Sequence, residues 1–267
     1  MSPASDPHSA RTESSFTAQA PTFEDPRFNR VLTSESDWLY ASLPLASGDL
    51  VLDVAAGTGL AGRALARRVG TVIALDATPE MLEVGSRAAA QEGLSNIVFQ
   101  RGDAAALPFL NASFQIVVCR YALHHFPEPD VQLAEMARVL CEGGHLALAD
   151  LVADDDPAAA TVQNQLERLR DPSHVRALPA GELRSAIERR GLTIVAAETR
   201  TVRRPLKPWV EQTQTPAAAV EKIELALGDE LDRQGAPTGL QPQRDEAGRL
   251  TIGQTLTSLV ARKRAST

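Results

Sequence analysis

Val51-Leu52-Asp53-Val54-Ala55-Ala56-Gly57-Thr58-Gly59-Leu60-Ala61-Gly62 is the stretch whose reading decides the fold. A short apolar, partly β-branched run ends in an acid and small residues, and Ala and Leu recur behind it at helical spacing. The segment therefore reads as strand, tight turn, helix. Gly57 and Gly59 lack a Cβ and let the backbone approach a bound molecule, while the following helix turns free N–H groups to the same place. Gly57-x-Gly59-x-x-Gly62 is also a GxGxxG pattern, which alone suggests a dinucleotide.

Asp76 narrows the choice. It closes the run Thr71-Val72-Ile73-Ala74-Leu75, about 20 residues beyond the first glycine, where a ligand with a ribose diol needs an acid. A dinucleotide and S-adenosylmethionine both present such a diol. The rest of the chain separates them. Asp53-Val-Ala-Ala-Gly-Thr-Gly, Leu75-Asp76-Ala-Thr-Pro-Glu-Met81-Leu, Arg101-Gly-Asp103-Ala104-Ala-Ala-Leu-Pro-Phe109, Arg120-Tyr-Ala-Leu-His124-His125-Phe and Arg138-Val-Leu-Cys-Glu-Gly-Gly144 follow in order. This series resembles the successive motifs of class I S-adenosylmethionine-dependent methyltransferases, in the branch of ubiquinone/menaquinone-biosynthesis and natural-product enzymes. The resemblance covers residues 45–152 tightly and implies a Rossmann-like α/β fold. Its sheet would have seven strands, mostly parallel with the last antiparallel, helices on both faces and a helical substrate cover.

Composition agrees with one domain. The 267 residues suffice for one large α/β unit, and a net charge of −7 argues against affinity for nucleic acid or an anionic membrane. No apolar run approaches the roughly 18 residues of a membrane span, and no secretory signal is evident, so a cytoplasmic protein is expected. Cys119 and Cys141 make neither a disulfide framework nor a zinc set.

Residues 1–24, rich in Ser, Ala, Thr and Pro, are expected to be a disordered tail, and 25–267 a single domain. A helix is expected from Ser34, with Trp38, Leu39 and Leu43 at helical spacing up to Pro44. The core, 45–152, alternates strands and helices. Its third helix-like stretch, about Asp130 to Leu140, is expected to end in a C-terminal cap at Gly143-Gly144. A sixth strand is read at Leu192–Ala197 and a seventh at Leu250–Ala261, with a helix Ala217–Leu231 in the insert between them. Segments 153–180 and 205–248 are assigned to the substrate cover.

The resemblance also implies roles. Asp53 would orient the turn and the methionine ammonium; Ala55, Gly57, Thr58 and Gly59 would line the methionine and ribose; and Asp76, followed by Ala77, would accept the ribose hydroxyls. Met81 reads equally as an adenine-packing residue or as core. Asp103, with Ala104 beside it, would receive the adenine amine, and Arg120 stands at the sheet edge facing the cofactor. Methyl transfer is an in-line displacement in which positioning does much of the work, and a base matters when the acceptor is a hydroxyl or protonated amine. His124, oriented by Asp150, is the candidate base, and it reads equally well as a hydrogen-bonded structural histidine. Adjacent His124 and His125 make a poor chelate, so no metal is expected.

Residues 167–208 hold ten basic against five acidic side chains, a local +5. Solvated helix faces account for part of it; Arg176, Arg203 or Arg204 would meet an acidic or phenolic acceptor, with Trp209 nearby. The expectation is methyl transfer from S-adenosylmethionine to a small-molecule acceptor, by O- or C-methylation, in natural-product or quinone-type biosynthesis, by a monomer or homodimer, releasing S-adenosylhomocysteine. The alternatives are a protein of this fold that binds the cofactor without transferring methyl, or an NAD(P)-dependent dehydrogenase.

Overall fold

The computed structural model describes residues 7–27 and 37–264. Seven strands, β1 (Leu50–Val54), β2 (Thr71–Asp76), β3 (Ile97–Arg101), β4 (Phe114–Arg120), β5 (Leu140–Ala153), β7 (Leu192–Pro205) and β9 (Leu250–Lys263), form one sheet in the order β3-β2-β1-β4-β5-β9-β7. Two-residue strands β6 (Leu178–Pro179) and β8 (Gln243–Arg244) pair with β5 and β9. The strands run parallel except β9, which is antiparallel to both β5 and β7. That inserted strand departs from the all-parallel dinucleotide-binding sheet. Helices α1 (Pro7–Gln19), α2 (Asp37–Tyr40), α3 (Leu60–Ala66), α4 (Pro79–Gln91), α5 (Pro129–Val139), α6 (Pro157–Arg170), α7 (Ala180–Glu188), α8 (Leu206–Gln212) and α9 (Ala217–Leu231) surround it.

The central strands are apolar at successive positions because both of their faces are covered. Leu52, Val54 and Val117 pack with Leu133 and Met136 of α5 on one face; Val51, Ile116 and Val118 pack with Ala61 and Leu65 of α3 on the other. A third cluster lies beyond the sheet's end, where Leu166, Leu206, Trp209, Ile223, Leu227 and Ile252 join α6, α8, α9 and β9.

Several expectations change. Residues 7–19 form a helix and 20–22 a 3-10 turn where a disordered tail is expected. The helix buries almost no apolar surface, which hides it from composition; hydrogen bonds hold it instead, from Arg101 to Glu13 (3.0 Å), Thr17 to Glu80 (3.0 Å) and His8 to the His125 carbonyl (2.9 Å). The helix expected from Ser34 is described only at Asp37–Tyr40; Ser34 and the Leu39 side chain lie outside the described residues. Gly143-Gly144 does not cap α5, which ends at Val139 with Leu140 already extended. The pair lies instead in a register break between β5 and β4, where Gly143 has φ 74° and a Cβ on Gly144 would come within 2.8 Å of the Gln115 carbonyl. β7 runs eight residues past Ala197, because β9 pairs with it as far as Pro205.

Candidate active site

The strand order reverses between β1 and β4, and the crevice at the carboxyl ends of such strands is where α/β sheets place ligands. A cavity of about 250 Å³ opens there. The first residues past those two strands, Ala55 and Tyr121, both line it and both have φ 52°. A left-handed conformation in a residue with a Cβ costs on the order of 1–3 kcal/mol and persists where the surroundings hold it, often at a functional site. Here it turns the backbone of two neighbouring strands away from the sheet and leaves room between them.

The β1 turn is held from both sides. Asp53 is buried, and its Oδ2 accepts the Gly62 N–H (2.7 Å), fixing the start of α3. Burial raises its pKa to about 7, against the opposing pull of that bond and of Arg120. Asp76 accepts the Gly57 N–H at Oδ2 (2.7 Å) and the Thr78 N–H at Oδ1 (2.8 Å). Burial raises its pKa too, and these backbone bonds offset part of the rise. One carboxylate thus ties the glycine turn to the start of α4 while each oxygen keeps a lone pair for a further donor.

Asp53, Ala55, Gly57, Asp76, Ala77, Met81, Asp103, Ala104 and Arg120 all line the cavity. Thr58 and Gly59 do not. Gly59 is a packing glycine, since a Cβ there would sit 2.8 Å from the Phe99 ring, and the Thr58 side chain is fully buried. Asp103 Oδ1 accepts the Ala105 N–H (2.8 Å), shaping its own turn at the cavity rim. The Arg120 guanidinium lies 5.1 Å from the Tyr121 ring centroid. Gln132, buried on α5, also faces the cavity, and its Oε1 has no partner among the described residues. An acid poised for a diol, a turn that brings backbone to the cavity wall, an apolar Met81 surface and an unsatisfied amide together suit an adenosine carrying an amino-acid end.

After β4, the 3-10 turn Leu123–His125 brings His124 over β5. His124 Nδ1 bonds to Asp150 Oδ1, while Asp150 Oδ2 accepts the Leu123 N–H (2.7 Å). Burial alone would lower the His124 pKa, but the Asp150 charge and hydrogen bond, with Glu167 and Asp171 beyond, outweigh it and raise it above the ordinary 6.5. With Nδ1 engaged, Nε2 is the other ring nitrogen of a side chain that lines the cavity. His125 also lines the cavity, edge-on to the Phe16 ring with centroids 5.0 Å apart, and its Nδ1 donates to the Ser173 carbonyl (3.1 Å); burial and the neighbouring His124 charge push its pKa down to about 3. His174 donates to Asn164 Oδ1 (2.8 Å) and is also held neutral, chiefly by burial. Among the described residues no group of three or more His, Cys, Asp or Glu could hold a metal ion.

The cover differs from the one expected. Arg176 points outward to Glu182 (2.9 and 2.6 Å), Arg203 bonds to the Gln241 carbonyl, and none of Arg176, Arg203 and Trp209 lines the cavity. Trp209 is fully buried in the third core cluster. Side chains alternate along a strand, so with Arg203 outward it is Arg204 that faces in. Arg170, Gln212 and Gln254 stand beside it. The residues that sequence reasoning missed most completely are on α1: His8, Thr12, Phe16 and Gln19 fall on one helical stripe and roof the cavity. The stripe is there to be read, but it is mostly polar.

Residues 51–144 match the family described as "Methyltransferase domain". An uncharacterized methyltransferase of Bacillus subtilis, YcgJ, is 38% identical over 182 residues, covering 68% of this chain and 72% of that one. The crystal structure of YcgJ superposes with TM-score 0.79 at 31% identity, over 86% of this chain and 97% of that one. A demethylmenaquinone methyltransferase of Thermobifida fusca is 36% identical over 127 residues, 46% of this chain and 54% of that one. A [4+2]-cyclase, SpnF, shares the fold at TM-score 0.68 and 18% identity, over 99% of each chain. Motif order, sheet topology and these likenesses agree, and the chain belongs to the class I S-adenosylmethionine-dependent methyltransferases.

Proposed function

We propose that this protein transfers a methyl group from S-adenosylmethionine to a small-molecule acceptor, by O- or C-methylation, with His124 as the base that takes the acceptor's proton. When bound, the cofactor supplies an electrophilic methyl on a sulfonium. Asp76 would hold the ribose diol, Asp53 with Gly57 the amino-acid end, and Asp103 the adenine amine. The observation that carries the reading is the His124–Asp150 contact in a side chain that lines the cavity: with Nδ1–H directed at the carboxylate, Nε2 of the neutral ring would hold the lone pair that takes a proton. Proton transfer to Nε2 makes an imidazolium that Asp150 stabilises. α1 lines the cavity beside these groups and would help to keep water from them.

No described helix is long and apolar enough to cross a membrane, and we take the acceptor to be met in the cytoplasm. The test is twofold. Calorimetric titration with S-adenosylmethionine, S-adenosylhomocysteine, NAD and NADP should show binding of the first two only. Screening of hydroxylated acceptors for S-adenosylhomocysteine release should then find turnover that His124→Gln lowers by about 10²–10⁴-fold, the range of general-base catalysis. Cofactor binding without release across the screen would leave a binding protein of methyltransferase fold; binding of nicotinamide nucleotides alone would overturn the methyltransferase reading and with it the roles of Asp103, His124 and Asp150.

A further inference from the structure

Gln132 stands on α5 with a side chain that is 7% exposed and lines the cavity, and its Oε1 meets no hydrogen-bond partner among the described residues. A buried amide oxygen without a donor is destabilising, and folded proteins carry few of them. This one stands where a ligand can reach it.

The helix itself shows which part of the cavity Gln132 serves. Gln132, Glu135 and Arg138 recur at every third residue and so lie along one side of α5. Arg138 donates to the carbonyls of Phe109 (2.8 Å) and Leu107 (2.9 Å), and Glu135 accepts the Leu107 N–H (2.8 Å). As α5 is followed back toward its start, its partners therefore step back along the segment that leaves β3. Gln132 comes three residues before Glu135, about 4.5 Å along the axis. The part of the segment still ahead is the turn Asp103–Ala106, closed by the Ala106 N–H on the Asp103 carbonyl (3.1 Å). Gly102, Asp103 and Ala104 line the cavity together with Gln132. Glu135 and Arg138 are engaged by the loop and by each other (2.7 Å), whereas the Gln132 oxygen is left over at the Asp103 end.

That end is the one assigned to adenine. The base presents an amine donor beside the N7 acceptor on one edge, and a carboxamide matches the pair, its oxygen accepting from the amine and its nitrogen donating to N7. The amine carries two hydrogens, so Asp103 and a carboxamide can each hold one. We infer that Gln132 reads the amine and N7 edge of the cofactor's adenine, completing the site that Asp103 opens. The assignment rests on the methyltransferase reading and adds to it a residue that selects the base. A purine with a carbonyl in place of the amine would set two oxygens against each other there, which disfavours it.

The probes are S-adenosylhomocysteine and 7-deaza-S-adenosylhomocysteine, in which a C–H replaces N7 and the amine is kept, titrated calorimetrically into the full-length protein. Asp103 meets the same amine in both, so a difference in affinity reports the N7 contact. The wild type should bind the parent compound about 3–10-fold more tightly, the range of one net hydrogen bond. Gln132→Met, which keeps the length of the side chain and removes both polar atoms, should bind the two probes equally and S-adenosylhomocysteine more weakly than the wild type does; Gln132→Leu should do the same. The urea midpoint of the ligand-free variants should not fall, because the Gln132 oxygen has no internal bond to lose. Equal binding of the two probes by the wild type, or survival of its preference in either variant, would overturn the inference. Failure of both variants to fold would make the side chain a structural one and overturn it as well. Failure of the wild type to bind S-adenosylhomocysteine at all is a separate result and would overturn the cofactor reading instead.

Discussion

Two glycines inside helices should respond oppositely to the same substitution. Gly228, on α9, has nothing within 4 Å of the place a Cβ would occupy, whereas a Cβ on Gly85, on α4, would meet the Thr58 carbonyl oxygen at 2.4 Å and the Phe99 ring at 2.6 Å. Alanine in a helix interior is favoured over glycine by about 0.8–1 kcal/mol, so Gly228→Ala should stabilise by about that amount. Gly85→Ala gains the same propensity and loses more. An ordinary contact distance of about 3.4 Å requires the Thr58 backbone to retreat by about 1 Å, and overpacking of this kind costs roughly 1–3 kcal/mol. The net is a loss of up to about 2 kcal/mol. Denaturant midpoints at constant slope measure both. Thr58 sits in the turn between Gly57 and Gly59, so the retreat also disturbs the Gly57–Asp76 bond, and affinity for S-adenosylhomocysteine should fall with stability. Stabilisation by Gly85→Ala with unchanged affinity would refute the claim that α4 braces the turn.

Asp76→Ala removes two charge-assisted bonds to a diol, each worth about 1.5–3 kcal/mol, and loosens Gly57 and Thr78; S-adenosylhomocysteine should bind at least ~100-fold more weakly by calorimetry. The His124 pKa is raised, so the neutral base forms only above 6.5, and the acid limb of kcat/KM should lie above that pH; Asp150→Asn, which removes the charge that raises it, should move the limb down. His125 is buried with a pKa near 3, so the stability it permits is complete above about pH 6.5 and declines as the pH falls toward 3; His125→Gln should flatten that decline in urea midpoints. Deleting residues 1–27 removes the roof of the cavity, and stopped-flow should show faster release of S-adenosylhomocysteine with no change in far-UV signal beyond the lost helix.

Much of the proposed cofactor end is legible in sequence because most of its residues sit at or just past a strand end, and strand ends are marked by local pattern. Asp53, Asp76, Asp103 and Arg120 follow apolar runs, and the turn that carries Gly57 punctuates one. The acceptor end has no such marker. Arg203 and Arg204 are neighbours in a strand, and which of them faces inward depends on the register of β7 against β9, a pairing between residues some fifty apart. Trp209 attracts notice as a rare aromatic, yet it is buried in a core that forms only when α6, α8 and α9 meet. α1 was missed because pattern reading weighs apolar periodicity, and this helix is kept in place by polar contacts to distant chain.

Those contacts have a consequence for synthesis. Glu13, Thr17, His8 and Ser15 reach Arg101, Glu80, the His125 carbonyl and Asp171, partners 63 to 156 residues downstream. At about 5–20 residues per second, a ribosome needs roughly 8–30 s after making Ser15 to deliver Asp171. The earliest helix to emerge, of those described, therefore waits through that interval for the last of its partners, while the chain that will lie beneath it is still being made.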